Sequence, residues 1–310
     1  MTALLAALTV GLLTGASCKK DSSGPVTDPA AVVAAADQAK KGSGAGSDPA
    51  PAALDRTPVA GVDVSRLPAD RQDLFFQMLA DLPSPCGKSH SLRTSVTSDA
   101  SCKRAPFATK MVAEMIVDEA SPDIIREFYE DRYVKHPETQ TFDLSNTPMV
   151  GAPDAKVTFV EFFDYGCPAC MQAKPVLDEV INANQARMKI YYKMYPLVQH
   201  HPDSYGCAQA ALAAFAQGKF HEMHDIIFKN FGSQKPDQLR SYAEQIGLDM
   251  AKYDADLPGT KPHVDADMAE GQAKGVDSTP TIFINGQRYG GPLAPKYFAM
   301  AIDEALAVNN

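Results

Sequence analysis

The sequence contains no tryptophan, too few basic residues to balance its acids and, over residues 19–62, almost no large apolar side chains. The first absence excludes no function by itself. The second excludes more: 29 Lys and Arg against 38 Asp and Glu leave a formal charge of −9. That balance argues against a nucleic-acid partner and against a broad basic face for membrane binding. The third absence predicts a disordered tether over residues 18–64. A segment of Ala, Gly, Pro, Ser, Asp and Lys cannot bury enough surface to offset the entropy of ordering it. Near the N-terminus, the apolar run Leu4 to Leu13 is too short to span a bilayer and has the length of an export signal. No Lys or Arg precedes it, so the basic start of such a signal is missing too.

What is present points to thiol chemistry. Cys167-Pro168-Ala169-Cys170 follows the strand-like run Val157-Thr158-Phe159-Val160-Glu161-Phe162-Phe163 and opens a helical pattern, Met171 to Ala183. Two cysteines at this spacing can close and reopen a small disulfide ring. The first sits where unpaired N–H groups and the helix dipole favour a thiolate, the species that attacks disulfides. The same spacing also occurs as half of a zinc site. Further along, Ser278-Thr279-Pro280-Thr281 precedes the apolar run Ile282-Phe283-Ile284 and the turn signal Asn285-Gly286. Proline is tolerated at the head of a strand, and a cis bond there would fold the chain against the cysteine pair. Glu161 lies among apolar strand residues. Buried, it would have a raised pKa suited to proton exchange with a thiol; on an edge strand it would face solvent.

These residues resemble the DsbA-like branch of the thioredoxin superfamily. The matching stretches are 160–170, 275–286 and Gln217-Gly218-Lys219-Phe220-His221-Glu222-Met223-His224-Asp225, the last similar to that branch's helical insertion. The resemblance implies a catalytic Cys167, a resolving Cys170, a cis Pro280, a substrate-contacting Thr279 and a buried acid, Glu161. The intervening Pro-Ala departs from the Pro-His of the strongest oxidases. It places no charge beside Cys167, so a reduction potential between those of thioredoxin and DsbA is expected, about −270 and −120 mV.

Thr14-Gly15-Ala16-Ser17-Cys18 resembles a bacterial lipoprotein processing site, which implies a signal peptide over 1–17 and a lipidated Cys18. The expected location is the periplasmic side of the cell envelope, held to the membrane by that lipid alone. A small helical module is expected over 65–135. Its three helices are marked by Leu74, Phe75, Met78, Leu79 and Leu82, by Ala108, Val112, Met115 and Ile116, and by Ser121-Pro122-Asp123 leading into Ile124, Ile125, Phe128 and Tyr129. The run from Cys86 to Tyr133 resembles the helical domain of CcmH-type cytochrome c maturation proteins, without their Cys-x-x-Cys. Cys86 and Cys102 form the expected structural disulfide, the alternative being a second redox pair that relays electrons to Cys167. Cys207 is expected to be a small buried hydrophobe. His221 and His224 share a helix face, but no further ligands are spaced to make a metal site with them.

The expected fold is therefore α/β. A thioredoxin-like domain over 141–310 carries a helical insertion near 203–257 and follows the helical module. The expected activity is thiol:disulfide exchange on exported proteins with cysteine pairs, with oxidase as the expected direction and isomerase or reductase and Cu(I)-binding maturation factor as alternatives. No organic cofactor and no resident metal are expected. Recycling would need a membrane redox partner.

Overall fold

The computed structural model describes residues 53–308. The expected signal peptide, Cys18 and most of the tether lie outside these residues. From Leu54 onward the chain forms one compact unit. Four helices come first: α1 (Ala69–Asp81), α2 (Leu92–Ser98), α3 (Ala105–Val117) and α4 (Pro122–Tyr133). The sheet and its covering helices follow: β1 (Met149–Gly151), β2 (Val157–Phe163), α5 (Pro168–Asn184) and β3 (Met188–Met194). The insertion is α6 (Ser204–Phe215), α7 (Phe220–Lys229), α8 (Pro236–Gln245) and α9 (Met250–Asp256). The chain then returns through a short 3-10 turn, α10 (Lys261–Ala273), β4 (Thr281–Ile284), β5 (Gln287–Arg288) and α11 (Pro295–Val308).

The strand order is β1-β3-β2-β4-β5. β2 runs parallel to β3 and antiparallel to β4. Alternation along β2 sends Val157, Phe159 and Phe163 into the main core with α5 and α6, while Val160 and Phe162 enter a smaller cluster with Val276 and Phe283. Glu161 shares the parity of Phe159 and Phe163, so it faces the main core rather than solvent.

Two expectations need correction. The tether does not extend to residue 64: Val59 and Val64 are buried, and Arg93 Nε binds Asp55 Oδ2 at 2.7 Å while its Nη2 donates to the Thr57 carbonyl. Two valines and a buried arginine supply the burial that composition alone did not reveal. The module has four helices, not three. α2 lies in the Ser/Thr-rich stretch, where propensity is weak; Ser91 caps it by accepting from the Thr94 N–H, and buried Leu92 anchors it. β1 was not legible at all. It is three residues long, and Gly151, at φ +100°, is pressed against the Met188 carbonyl.

The helical layer and the sheet meet at α11. Phe298, Ala301 and Ile302 face the main core, and Tyr297 and Met300 enter the core of the N-terminal helices. Here a carboxylate is buried. Glu304 accepts from Arg104 Nε at 2.7 Å, from Arg132 Nη2 at 2.6 Å and from the Tyr133 hydroxyl at 3.1 Å. Burial alone would raise its pKa; the two guanidinium groups outweigh burial and hold it below the usual carboxylate range. Cys86 and Cys102 are bonded, with their Cα atoms 5.8 Å apart. A loop of this size is worth roughly 3 kcal/mol by chain entropy.

Glu304→Ala should leave two buried cations unpaired and destabilise the protein by about 3–5 kcal/mol, read by urea denaturation at neutral pH. Because the folded-state pKa is depressed, this contribution is present above the unfolded value of about 4.3 and fades as pH falls through the folded one. The gap between wild type and variant should therefore shrink in acid. A loss below about 1 kcal/mol at neutral pH would show that the helical layer is held by its apolar contacts alone.

Candidate active site

The end of β2 delivers Cys167 to the N-terminus of α5, where it is the N-cap residue with Pro168 at the first helical position. Both cysteines are free, and both are buried: Cys167 is 8% exposed and Cys170 only 1%. The Thr279–Pro280 peptide bond is cis. The Thr279 carbonyl accepts from the Cys167 thiol at 3.3 Å. The Thr279 hydroxyl is buried without a hydrogen-bond partner, which leaves it a donor in reserve for a thiolate.

The two thiols are opposite in character. Cys167 is lowered to about 5, most of all by the hydrogen bond from the Cys170 thiol; Thr279 and the backbone N–H groups of Ala169 and Cys170 add to this, against the effect of burial. Cys170 moves the other way, pushed far above the usual thiol range by burial first, then by its bond to Cys167 and by the nearby Glu161. One sulfur is therefore the thiolate at neutral pH and the other the proton holder. Glu161, 4% exposed, is raised to about 8, chiefly by burial; Lys174 moderates the rise and Asp178 adds to it. Glu161, Cys170, Lys174, Asp178, Tyr192 and His224 line one narrow cleft. Lys174 Nζ bridges Asp178 and Asp225, each at 2.7 Å, at the cleft's outer side.

Of the residues expected to act together, Cys167, Cys170 and Thr279 meet, Pro280 follows Thr279 through the cis bond, and Glu161 lines the cleft with Cys170. Cys86 and Cys102 do not join them; they are bonded to each other and pack with the N-terminal helices. Cys207 is fully buried, and burial pushes its thiol up to about 12, so it stays protonated. His224 is buried against Phe163 and Phe220, its Nδ1 3.1 Å from the Tyr165 hydroxyl. Burial keeps its pKa well below the usual histidine value. Among the described residues no group of three His, Cys, Asp or Glu side chains is arranged to hold a metal ion.

Two residues of the site were missed in the sequence. Asp164 organises the turn into Cys167: its Oδ1 accepts from the Gly166 N–H, its Oδ2 from the Leu197 N–H, and its carbonyl from the Cys167 N–H. Its own N–H points at the Cys170 sulfur at 3.5 Å. The second is His201, whose Nδ1 lies 2.7 Å from Asp164 Oδ2. The i to i+2 contact from Asp164 to Gly166 is an Asx turn, and Asp before Gly was the available signal. Nothing local pointed to His201, which lies 37 positions from Asp164.

A buried Glu161 that keeps its proton to about pH 8 makes the folded state bind a proton that the unfolded chain releases near pH 4.3. Stability therefore falls as pH rises between those values. Glu161→Gln should match the wild type at pH 4 and exceed it at pH 8 when the reduced proteins are unfolded in urea. Parallel pH profiles would show that Glu161 is not held protonated.

The thioredoxin family model matches residues 143–304. Among curated relatives, the Na(+)/H(+) antiporter NhaA 3 of Salinispora tropica is 33% identical over 159 residues, 51% of this chain and 24% of the antiporter. An antiporter NhaA 1 of Mycobacterium sp. is 35% identical over 146 residues, 46% of this chain and 24% of that protein. The chain thus spans about a quarter of the length of the curated relatives it matches. No helix among the described residues is long and apolar enough to cross a membrane. Among solved structures, a thioredoxin-like oxidoreductase from Silicibacter pomeroyi is 29% identical with a TM-score of 0.48, covering 52% of this chain and 93% of that one. Oxidised BdbD from Bacillus subtilis is 20% identical with a TM-score of 0.49, covering 54% of this chain and 97% of that one. With its free Cys-x-x-Cys at the strand–helix junction and a family match over half its length, the chain belongs to the thioredoxin family.

Proposed function

We propose that the protein exchanges disulfides with exported proteins through Cys167 and Cys170, and that its preferred direction is oxidation of the substrate. It is a thiol:disulfide oxidoreductase. The observation that carries this reading is the split between the two thiols, with Cys167 lowered to about 5 and Cys170 raised. In the oxidised form, a substrate thiolate attacks Cys167 Sγ. The Cys167–Cys170 bond breaks, and Cys170 leaves as an unfavourable buried thiolate that takes the proton held by Glu161. A second substrate thiolate then attacks the substrate sulfur of the mixed disulfide and releases Cys167 as a stable thiolate. A stabilised reduced form makes a stronger oxidant. A Cys167 pKa of about 5 falls between the values of about 7 for thioredoxin and about 3.5 for DsbA, which supports an intermediate potential.

Thr279 and Pro280 form the wall against which an extended substrate segment would lie, pairing with free backbone groups in the manner of an added strand. The envelope location and lipid anchor at Cys18 belong to the same proposal. They rest on the N-terminal sequence pattern, and the Cys86–Cys102 bond fits an oxidising compartment. A membrane redox partner would reoxidise the pair.

Cys170→Ala should accumulate a mixed disulfide when its Cys167 thiolate attacks a substrate protein that carries a disulfide, because the resolving thiol is gone. Cys167→Ala should accumulate none and should transfer no disulfide. Mass analysis after acid quench reads both outcomes. Trap-free loss in both variants, together with tight Cu(I) binding by the wild type, would favour the metal-binding alternative. Equilibration with glutathione fixes the direction: a potential below about −270 mV would make the protein a reductase.

A further inference from the structure

His201 is held in place from several sides. Its N–H donates to the Leu197 carbonyl, and its own carbonyl accepts from the Ser204 hydroxyl at 2.8 Å. Its ring lies on Gly166, the residue before Cys167: a Cβ added to Gly166 would fall 2.5 Å from His201 Cβ and 2.9 Å from Cγ. Only glycine lets the imidazole come this close to the nucleophile's backbone. The side chain is 23% exposed, while Asp164 is wholly buried. The Asp164 carboxylate already accepts from two backbone N–H groups, and a carboxylate has only acceptors to offer, so Nδ1 of His201 is the donor of the 2.7 Å bond. In the neutral ring that leaves Nε2 as a bare acceptor, and it makes no hydrogen bond to any described residue. A carboxylate that fixes the tautomer of a partly exposed imidazole, packed on the residue before the nucleophile, is the arrangement of a general base.

We infer that His201 is the base for the incoming substrate thiol, oriented by Asp164 across Gly166. This rests on Cys167 being the sulfur that the substrate attacks. In the step, the substrate S–H bond breaks and its proton passes to His201 Nε2. The substrate sulfur bonds to Cys167 Sγ, and the Cys167–Cys170 bond breaks. The electron pair goes to Cys170, which is protonated from Glu161. The substrate sulfur is oxidised and the protein disulfide is reduced, with no other reactant. His201 and Glu161 thus serve opposite ends of one exchange. His201 removes a proton at the entry side, and Glu161 supplies one at the buried side. Exported substrates bring ordinary thiols, which are mostly protonated at neutral pH, so the step needs such a base.

The test uses the oxidised full-length protein, reduced under single-turnover conditions by two small thiols at one neutral pH. Mercaptoethanol is mostly protonated there. Trifluoroethanethiol is far more acidic and supplies much of its own thiolate. Reaction is followed by acid quench, alkylation and mass analysis, since the chain has no tryptophan to report it. His201→Ala keeps the Cβ that rests on Gly166. It should slow mercaptoethanol about a hundredfold and leave trifluoroethanethiol within about twofold. Added imidazole should restore the mercaptoethanol rate and not change the other, while His200→Ala should behave as wild type. A base changes rates in both directions alike, so the equilibrium constant with glutathione should be the same in His201→Ala and wild type. Equal loss with both thiols, a shifted glutathione equilibrium, or no loss with either would overturn the assignment and leave the exchange reading intact. A wild-type disulfide at Cys167–Cys170 inert to both thiols would overturn the exchange reading itself.

Discussion

The register of β2 between β3 and β4 is the constraint on which the site depends. Phe162 pairs with Thr281 on one side and Phe163 with Met194 on the other. The first pairing sets Thr279 and Pro280 level with the end of β2, where Cys167 emerges. The second brings the loop after β3, with Leu197 and His201, to the same end. Within β2 the register also decides where Glu161 points. A slip of one residue would turn every side chain of the strand over. Glu161 would leave the face of Cys170, and Phe162 would try to enter the main core in its place. Burial of four phenylalanines across the two faces of β2 and its neighbours holds the register against that slip.

Given that register, the electrostatics of the pair follow from depth. Cys167 lies at the mouth of the helix, within reach of N–H donors, and becomes the stable anion. Cys170 lies one turn deeper, beside the Asp164 N–H and the buried Glu161, and keeps its proton. The apolar strand that makes Glu161 costly to ionise is also what makes it a proton store near neutral pH. Lys174 closes the outer side of that cleft and, through Asp178 and Asp225, connects it with solvent.

The N-terminal helices are held to this scaffold by a second buried charge of a different kind. Glu304 is stably ionised because two arginines and a tyrosine meet it, whereas Glu161 has no such partners and is driven towards the neutral form. Two glutamates of one chain, each almost fully buried, are thus sorted into an ionised cluster and a group held towards its neutral form by what surrounds them. Arg104 and Arg132 belong to α3–α4 and their approach, and Glu304 to α11. This cluster, with Tyr297 and Met300, is what makes the helical layer continuous with the last helix of the thioredoxin fold.

The sequence by itself determined the parts whose physics is local. The alternation of β2, the helix opened at Pro168 and the Asn285-Gly286 hairpin all appear within a few residues of where periodicity and turn chemistry put them. The dithiol and the proline at the head of β4 were legible for the same reason. Short or weakly patterned segments were not: β1 exists only through its ladder to β3, and α2 through its Ser91 cap and the burial of Leu92. Tertiary structure alone decided how the rest of the site is assembled. Whether Glu161 faced core or solvent, and that Asp164 and His201 meet, depend on residues dozens of positions apart; that Cys167 becomes the thiolate was already legible from its place at the helix N-terminus. Burial and charge act through space, so a pKa or a paired carboxylate has no signature in spacing along the chain.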